Sequence, residues 1–403
     1  MMTREYLIEE LTEAYFDCRR NKRNKRSALE FEMQWLQNVC MLADELYDRT
    51  YEIGESITFI VTRPKWREVF AASFRDRVVH HYIIRRLEPL FEQTFIDDTY
   101  NCRKGKGTLY GAHRVHEMIR ECSEDYTRDC YVAKFDMQGF FMSIHKPTLW
   151  GMLEDFIMRN YFGEDKDLLL WLTKKVVTHC PTKRCRRQSR SWMWAQIPPD
   201  KSLFTTGDDY GLPIGNITSQ MFANFYLTGF DRVMSGMFDH YGRYVDDFVV
   251  VDRDKQKILR AISAMRDYLA RLHVRLHPDK FYLQYYTKGV QFVGIVSKMR
   301  RTYAGNRTVH NFERTMIECN DIADKEAYAE CFVARVNSYI GYMIHHKSYA
   351  IRRWVLSLRS TDWNKYVYVR GRHRALVLRP RYRVRNKQKQ VLYEFSNKQM
   401  CAG

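Results

Sequence analysis

The chain has 403 residues, 45% hydrophobic and 28% charged, with a formal net charge of +18. That composition excludes a largely disordered chain, and so large a positive surplus points to a polyanionic partner, nucleic acid or an anionic membrane surface. No apolar run is long enough to span a bilayer, the opening MMTREYLIEE lacks the apolar stretch of a secretory signal, and no basic amphipathic helix suits a membrane surface. The expectation is therefore a cytoplasmic protein with reduced thiols that meets nucleic acid and no membrane.

Up to about residue 56 the chain reads as helical, with Phe31, Trp35, Val39, Leu42 and Leu46 recurring at helical spacing. The basic block Arg19 to Arg26 inside it is either a solvated face or a phosphate contact. ITFIVT, Ile57 to Thr62, reads as a strand, and the proline after it leaves Lys65 and Arg67 on a turn or strand edge. RDRVVHHYIIRRLEPLFEQ is an amphipathic helix with Val79, Ile83, Leu87 and Leu90 on one side. CRKGKGT then makes a Gly-interrupted basic loop whose Arg103, Lys104 and Lys106 are candidate nucleic-acid contacts; the spacing is not that of a Walker loop.

CYVAKFD reads as a buried strand from Tyr131, ending at Asp136. HCPTKRC, with His179, Cys180 and Cys185, is read as a basic loop in preference to a zinc site, because no second ligand pair follows. GLPIGNITSQMFANFY is a Gly/Pro turn opening a helix that Asn216 or Thr218 would cap. HYGRYVDDFVVV fits a β-hairpin with Asp246 and Asp247 at its tip. A helix from Lys255 to about Leu272 follows, then KGVQFVGIV as a strand, then helices around VNSYIGYMI. The tail YVYVRGRHRALVLRPRYRVRNKQKQ alternates Arg with Tyr and Val. It suits a β-ribbon with one basic face, or RNA contact through residues such as Arg379 and Arg381, or both.

Alone, two aspartates in a turn are unremarkable, since Asp is common there. Asp136 changes that reading, because it too ends a hydrophobic strand. If the two strands are neighbours, three carboxylates converge, and such a group is relieved by hard cations with oxygen ligands, Mg²⁺ in particular. Two such ions about 3.5–4 Å apart serve phosphoryl transfer.

A strand-end Asp, a Gly-turn-helix and a YxDD hairpin, in this order, resemble the palm of a reverse transcriptase. RPKWREVFAASFRDRVVHH, CRKGKGT, LHPDK and KGVQFVGIV resemble flanking segments of the bacterial enzymes, so the likeness covers roughly Tyr51 to Leu356. It implies a right-hand polymerase of α/β (α+β) class: a basic helical extension over 1–56, fingers over 57–130, palm over 131–296 with an insert near 160–210, a mostly helical thumb over 297–358, and an Arg/Tyr-rich tail over 359–403. It implies Asp136, Asp246 and Asp247 as catalytic ligands of two Mg²⁺ ions (or Mn²⁺), joined by the Met137 backbone carbonyl, with Lys280 as general acid to pyrophosphate. Lys65, Arg67, Phe141, Ile214, Gly215 and Gln220 would bind the dNTP, with Phe141 as a steric gate against a 2′-hydroxyl or else as plain packing. Gly289, Phe292 and Gly294 would form the primer grip.

GLPIGNITSQ departs from many reverse transcriptases: Ile214 replaces a Gln, and Gln220 stands where Pro is usual. This version resembles the enzymes of diversity-generating retroelements, which copy a structured template RNA into cDNA with errors at adenines and work with a small basic helical-bundle accessory protein. RNKRNKRSALEFE, IPPDKSLF and VNSYIGYMIHHKSY resemble the same group. Antiphage-defence reverse transcriptases share such motifs, and Ile214 would equally serve as packing under the fingers. The competing class is a non-catalytic palm that holds structured RNA, whose mark would be a broken carboxylate triad or a lost Lys280.

Overall fold

A computed structural model describes residues 2–20, 22–62 and 65–383; the end of the basic tail, residues 384–403, lies outside that set. The chain packs as two compact units, one of residues 1–111 with 131–283 and the other of 112–130 with the segment from 284 onward. Residues 112–130, grouped with the fingers in the sequence reading, thus belong to the C-terminal unit. There His113 stacks 5.7 Å from His346, and the Tyr286 amide donates to the Cys130 carbonyl.

In the first unit, α1 (Arg4–Arg19), α2 (Arg26–Glu32) and α3 (Trp35–Tyr47) bury Leu7, Leu11, Tyr15, Val39, Leu42 and Leu46, as the helical spacing requires. Strand β1 (Ser56–Val61) pairs antiparallel with β2 (Arg67–Ala71), so the basic Arg67 begins a strand opposite Val61. Helix α4 (Phe74–Thr94) is capped by Ser73, whose Oγ accepts from the Asp76 amide. It is fastened inside by Asp165, whose buried carboxylate accepts from Tyr82, Tyr161 and Arg86. Helix α5 (Thr108–Cys122) carries the chain into the other unit, and β3 (Tyr131–Asp136) brings it back.

After β3 come α6 (Phe140–Ser143), α7 (Lys146–Asn160), α8 (Lys166–Thr178), the short strand β4 (Cys185–Arg187) and the one-turn α9 (Ser191–Trp194). β4 adds to the free side of β1 in parallel, giving a sheet of order β2-β1-β4. Helices α10 (Ile217–Tyr226) and α11 (Thr228–Met237) then lead to β5 (His240–Tyr244) and β6 (Asp247–Asp252). Helix α12 (Lys255–Arg271) and β7 (Tyr282–Tyr285) complete a second sheet of order β5-β6-β3-β7. β3, the strand that ends at Asp136, therefore lies beside β6, the strand that begins at Asp247. Phe135, Phe248 and Val250 bury this sheet against Phe225, Phe230 and Met265.

In the second unit, KGVQFVGIV is two strands and not one. β8 (Val290–Phe292) and β9 (Ile295–Lys298) are joined by Val293 and Gly294, with φ of 43° and 87°, a two-residue turn of the hairpin type. β10 (Arg301–Ala304) extends the sheet, and α13 (Asn306–Asn320), α14 (Lys325–Met343) and α15 (Tyr349–Ser357) pack around Phe312, Phe332, Ile340 and Trp363. β11 (Val367–Arg370) and β12 (Ala375–Leu378) form the ribbon expected of the tail, and the one-turn α16 (Pro380–Arg383) ends the described residues.

Candidate active site

The antiparallel register of β3 and β6 sets Asp136 directly opposite Asp247. Asp246 occupies the two-residue turn between β5 and β6, beside Val245, whose φ is 56°. Such a backbone is unfavourable for a β-branched residue and persists only when its surroundings impose it. Here they do. The Val245 amide donates to Asn101 Oδ1 at 3.0 Å, and its carbonyl accepts from Arg243 Nη1 at 3.0 Å. Arg243 is itself fully buried, donating to both Asp231 oxygens and to the Asn224 side chain, while Tyr241 donates to Asp231 as well. On the other side, the Met137 amide donates to the Asp246 carbonyl at 3.0 Å. The tip is thus held from both flanks, and the sequence reading foresaw neither Asn101 nor the Asp231–Arg243 pair.

Lys280 reaches the site by local geometry. Residues 275–277 run antiparallel past the end of β3: the Gln138 amide donates to the Arg275 carbonyl and the His277 amide to the Asp136 carbonyl. A turn closed by the Asp279 amide on His277 Nδ1 then places Lys280 Nζ 2.5 Å from Asp136 Oδ2. Asp247 pairs with Lys134 at 3.4 Å.

A converged carboxylate triad was expected. The structure brings Asp136, Asp246 and Asp247 close enough for the charge on one to raise the proton affinity of another, with Lys280 on Asp136 and Lys134 on Asp247, and among the described residues no three His, Cys, Asp or Glu side chains form a finished metal cage. The like charges repel, and the nearest ammonium groups offset that repulsion. Asp246 has no lysine on it, and Arg67 offsets its charge only slightly. Burial, then Asp247 and Asp136, push its carboxyl up to about 6; Asp247 is raised too, by burial first, with Lys134 opposing. An all-oxygen set crowded enough to hold on to protons is a donor set that suits a hard divalent cation.

The nucleotide-side residues are placed as follows. Lys65 and Arg67 are exposed where β2 begins. Phe141 is half-buried against the core and meets Phe140 edge-on. Ile214 is half-buried, and its carbonyl accepts from the Phe70 amide at 2.7 Å, tying the Gly/Pro turn to β2. Gly215, at φ 125°, sits so close to β2 that a Cβ would lie 2.8 Å from the Phe70 oxygen. Asn216 stands at the cap position of α10, but its side chain accepts from the Ala72 amide instead. Gln220 is exposed and accepts from Cys102 Sγ.

In the basic loop Arg103 departs from the expectation. Arg103 is turned inward, bound to Glu92 and to the carbonyls of Ile96 and Thr99, so it holds the loop and offers no guanidinium to a phosphate. Lys104 pairs with Glu88 and Lys106 with Asp97. In the second unit, Gly289 and Gly294 adopt positive φ at the two ends of β8, and Phe292 is buried between them as a packing residue. Arg379 is exposed and donates to the Asn364 carbonyl; the side chain of Arg381 lies outside the described residues.

Comparison with known proteins places the chain in a family. The family described as reverse transcriptase (RNA-dependent DNA polymerase) matches residues 61–297. Protein YkfC of Escherichia coli (strain K12) is 24% identical over 311 residues, 68% of this chain and 73% of that protein. Two solved structures are more remote. Apo telomerase from Candida tropicalis, truncated from its C-terminal domain, is 12% identical with a TM-score of 0.45, over 62% of this chain and 55% of that one. Telomerase from Candida albicans with a fragment of telomeric RNA is 10% identical with a TM-score of 0.43, over 77% and 56%. This chain spans little more than half of those telomerase chains. The family match extends over more than half of the present chain, which belongs to the reverse transcriptases, the RNA-directed DNA polymerases, and has their right-hand α/β fold.

Proposed function

We propose that this enzyme copies a dedicated structured RNA into cDNA, with the lowered fidelity of a diversity-generating retroelement. The observation that carries the polymerase chemistry is the register pair Asp136–Asp247 with Asp246 enclosed beside it. Asp136, Asp246, Asp247 and the Met137 carbonyl would hold divalent cations, which when bound acidify a primer 3′-hydroxyl and offset the charge of the triphosphate. The 3′-oxygen attacks the α-phosphorus of a dNTP, the bond to the β-phosphate breaks, and pyrophosphate leaves. Lys65 and Arg67, exposed where β2 begins, hold the triphosphate. Lys280, beside Asp136, gives a proton to the departing pyrophosphate. The half-buried Phe141 ring limits room for a 2′-hydroxyl, and the 289–294 hairpin grips the primer.

Lowered fidelity is supported by Ile214. Its backbone is fixed to β2 through Phe70, but its side chain has no group to hydrogen-bond an incoming nucleotide. One missing bond is worth about 0.5–1.5 kcal/mol, up to roughly tenfold in discrimination. A small basic accessory protein belongs to this reading as a partner.

The test is to sequence the cDNA made by the purified protein from the RNA encoded beside its gene, with D246N/D247N as control. Substitutions concentrated at template adenines, absent from the control, support the retroelement reading. Accurate, repetitive or untemplated DNA moves the enzyme to the defence class, and RNA binding without any DNA leaves only a scaffold.

A further inference from the structure

From Pro181 to Gln196 the inserted segment reads PTKRCRRQSRSWMWAQ, with five cations, two tryptophans and no acidic residue. It is not a loose loop. The Ser56 amide donates to the Arg184 carbonyl, the Gln188 amide to the Thr58 carbonyl, and the Ile60 amide to Ser189 Oγ, so the segment is sewn along the edge of β1. Further on, the buried Glu68 of β2 accepts from the Ser202 hydroxyl and the Leu203 amide. The insert therefore crosses one face of the β2-β1-β4 sheet and is fixed at both ends.

What it presents there is an aromatic and cationic surface. Trp192 is 55% exposed and meets Trp66 edge-on at 6.0 Å, which joins the insert to the start of β2, beside the exposed Lys65 and Arg67. The Arg187 guanidinium lies 4.0 Å over the Phe204 ring and 4.9 Å from the Trp194 ring, flattened but still exposed. Lys183 is paired with Asp208, whereas Arg184, Arg186 and Arg187 have no carboxylate partner among the described residues.

We infer that this insert is a binding surface for single-stranded RNA, with Trp192 as a stacking platform and Arg186 and Arg187 as phosphate contacts. Unpaired bases expose π-faces that an indole can cover, and their backbone supplies the missing anions. A duplex hides its base faces and would use the cations alone. The inference rests on the polymerase reading for its choice of RNA: the strand is the unpaired template approaching the site.

The experiment measures binding of a labelled unstructured RNA and of a fully paired RNA hairpin to the full chain. It compares the parent with Trp192→Ala, Trp192→Phe and Arg186→Ala/Arg187→Ala, with thermal melting to confirm folding. Expected is about tenfold weaker single-strand binding for Trp192→Ala, recovery with Trp192→Phe, and little change for the hairpin. The double arginine variant should lower the slope of log affinity against log salt by about 1.4. Parent-like single-strand binding by a folded Trp192→Ala overturns the inference, as does equal loss on both RNAs. DNA synthesis by the parent is scored separately. Intact synthesis without a Trp192 effect sinks the surface alone, and a Trp192 effect without synthesis sinks the polymerase reading alone.

Discussion

At the scale of single residues, the site is a turn that would not hold its shape unaided. Val245 pays for its left-handed backbone, about 1–3 kcal/mol, with two hydrogen bonds that come from Asn101 and Arg243. Asn101→Ala removes one of them and lets the Asp246 carboxylate drift. DNA synthesis should fall about tenfold to a hundredfold in kcat, with a stability loss of only about 1 kcal/mol in urea unfolding. Unchanged kcat would show that the turn holds itself. Asp246 makes the opposite kind of prediction. Its carboxyl sits at about 6 in the fold against an ordinary 3.8, so the folded state binds the extra proton. Stability from this group is present below about pH 4 and is lost as pH rises through 6. In chelator, Asp246→Asn should thus be inactive yet more stable than the parent at pH 7.5, by up to about 3 kcal/mol less what water screens at this half-buried side chain. The gain should vanish near pH 4; a gain that persists there would mean the turn is relieved by something other than charge. Asp136, Asp246 and Asp247 were legible because charge inside a β-branched run is conspicuous. Asn101 was not, since its acceptor serves an amide 144 residues away and nothing around it in sequence signals that.

At the scale of elements, legibility followed periodicity. The helices α3, α4, α10 and α12 and the strands β1, β3 and β6 stood where apolar spacing put them. The misreading of KGVQFVGIV has a physical cause. Val293 is β-branched and disfavoured at positive φ, so Val-Gly does not announce a hairpin turn as Asn-Gly would, and KGVQFVGIV looked like one strand. The basic block at 19–26 is partly spent at home, with Arg19 on Glu32, Arg26 on Glu30 and Arg20 on Asp17. A charge run does not reveal which of its members have partners across a helix pair. Between elements, the Gly/Pro turn and β2 form one joint. Gly215→Ala would place a methyl 2.8 Å from the Phe70 oxygen at a φ that L side chains rarely adopt. We expect a loss of about 1–3 kcal/mol in denaturant midpoint analysis and a raised KM for dNTP, since Ile214 moves with the turn. A stable variant with parent KM would show that the two elements are independent. Deeper in the unit, Asp165→Ala would strand the buried Arg86 and should cost about 3 kcal/mol, softened by Glu10 at 3.2 Å.

At the scale of the whole molecule the surplus charge acts in two directions. A chain at +18 repels itself when folded, and the same charge draws in a polyanion. Salt weakens both effects, because at about 0.1 M the screening length is only about 10 Å. The two consequences have opposite signs and can be read in one titration. Raising monovalent salt from about 50 to 200 mM should raise the melting midpoint of the RNA-free protein slightly. Over the same range, RNA affinity should fall by at least about tenfold, as phosphate contacts exchange with counterions. RNA present at saturation should raise the midpoint at low salt, and that increment should shrink as salt is added. The crossing of the two trends is the informative result, for a salt-insensitive RNA affinity would mean that the positive charge serves some other anion and that RNA is held by stacking and shape alone.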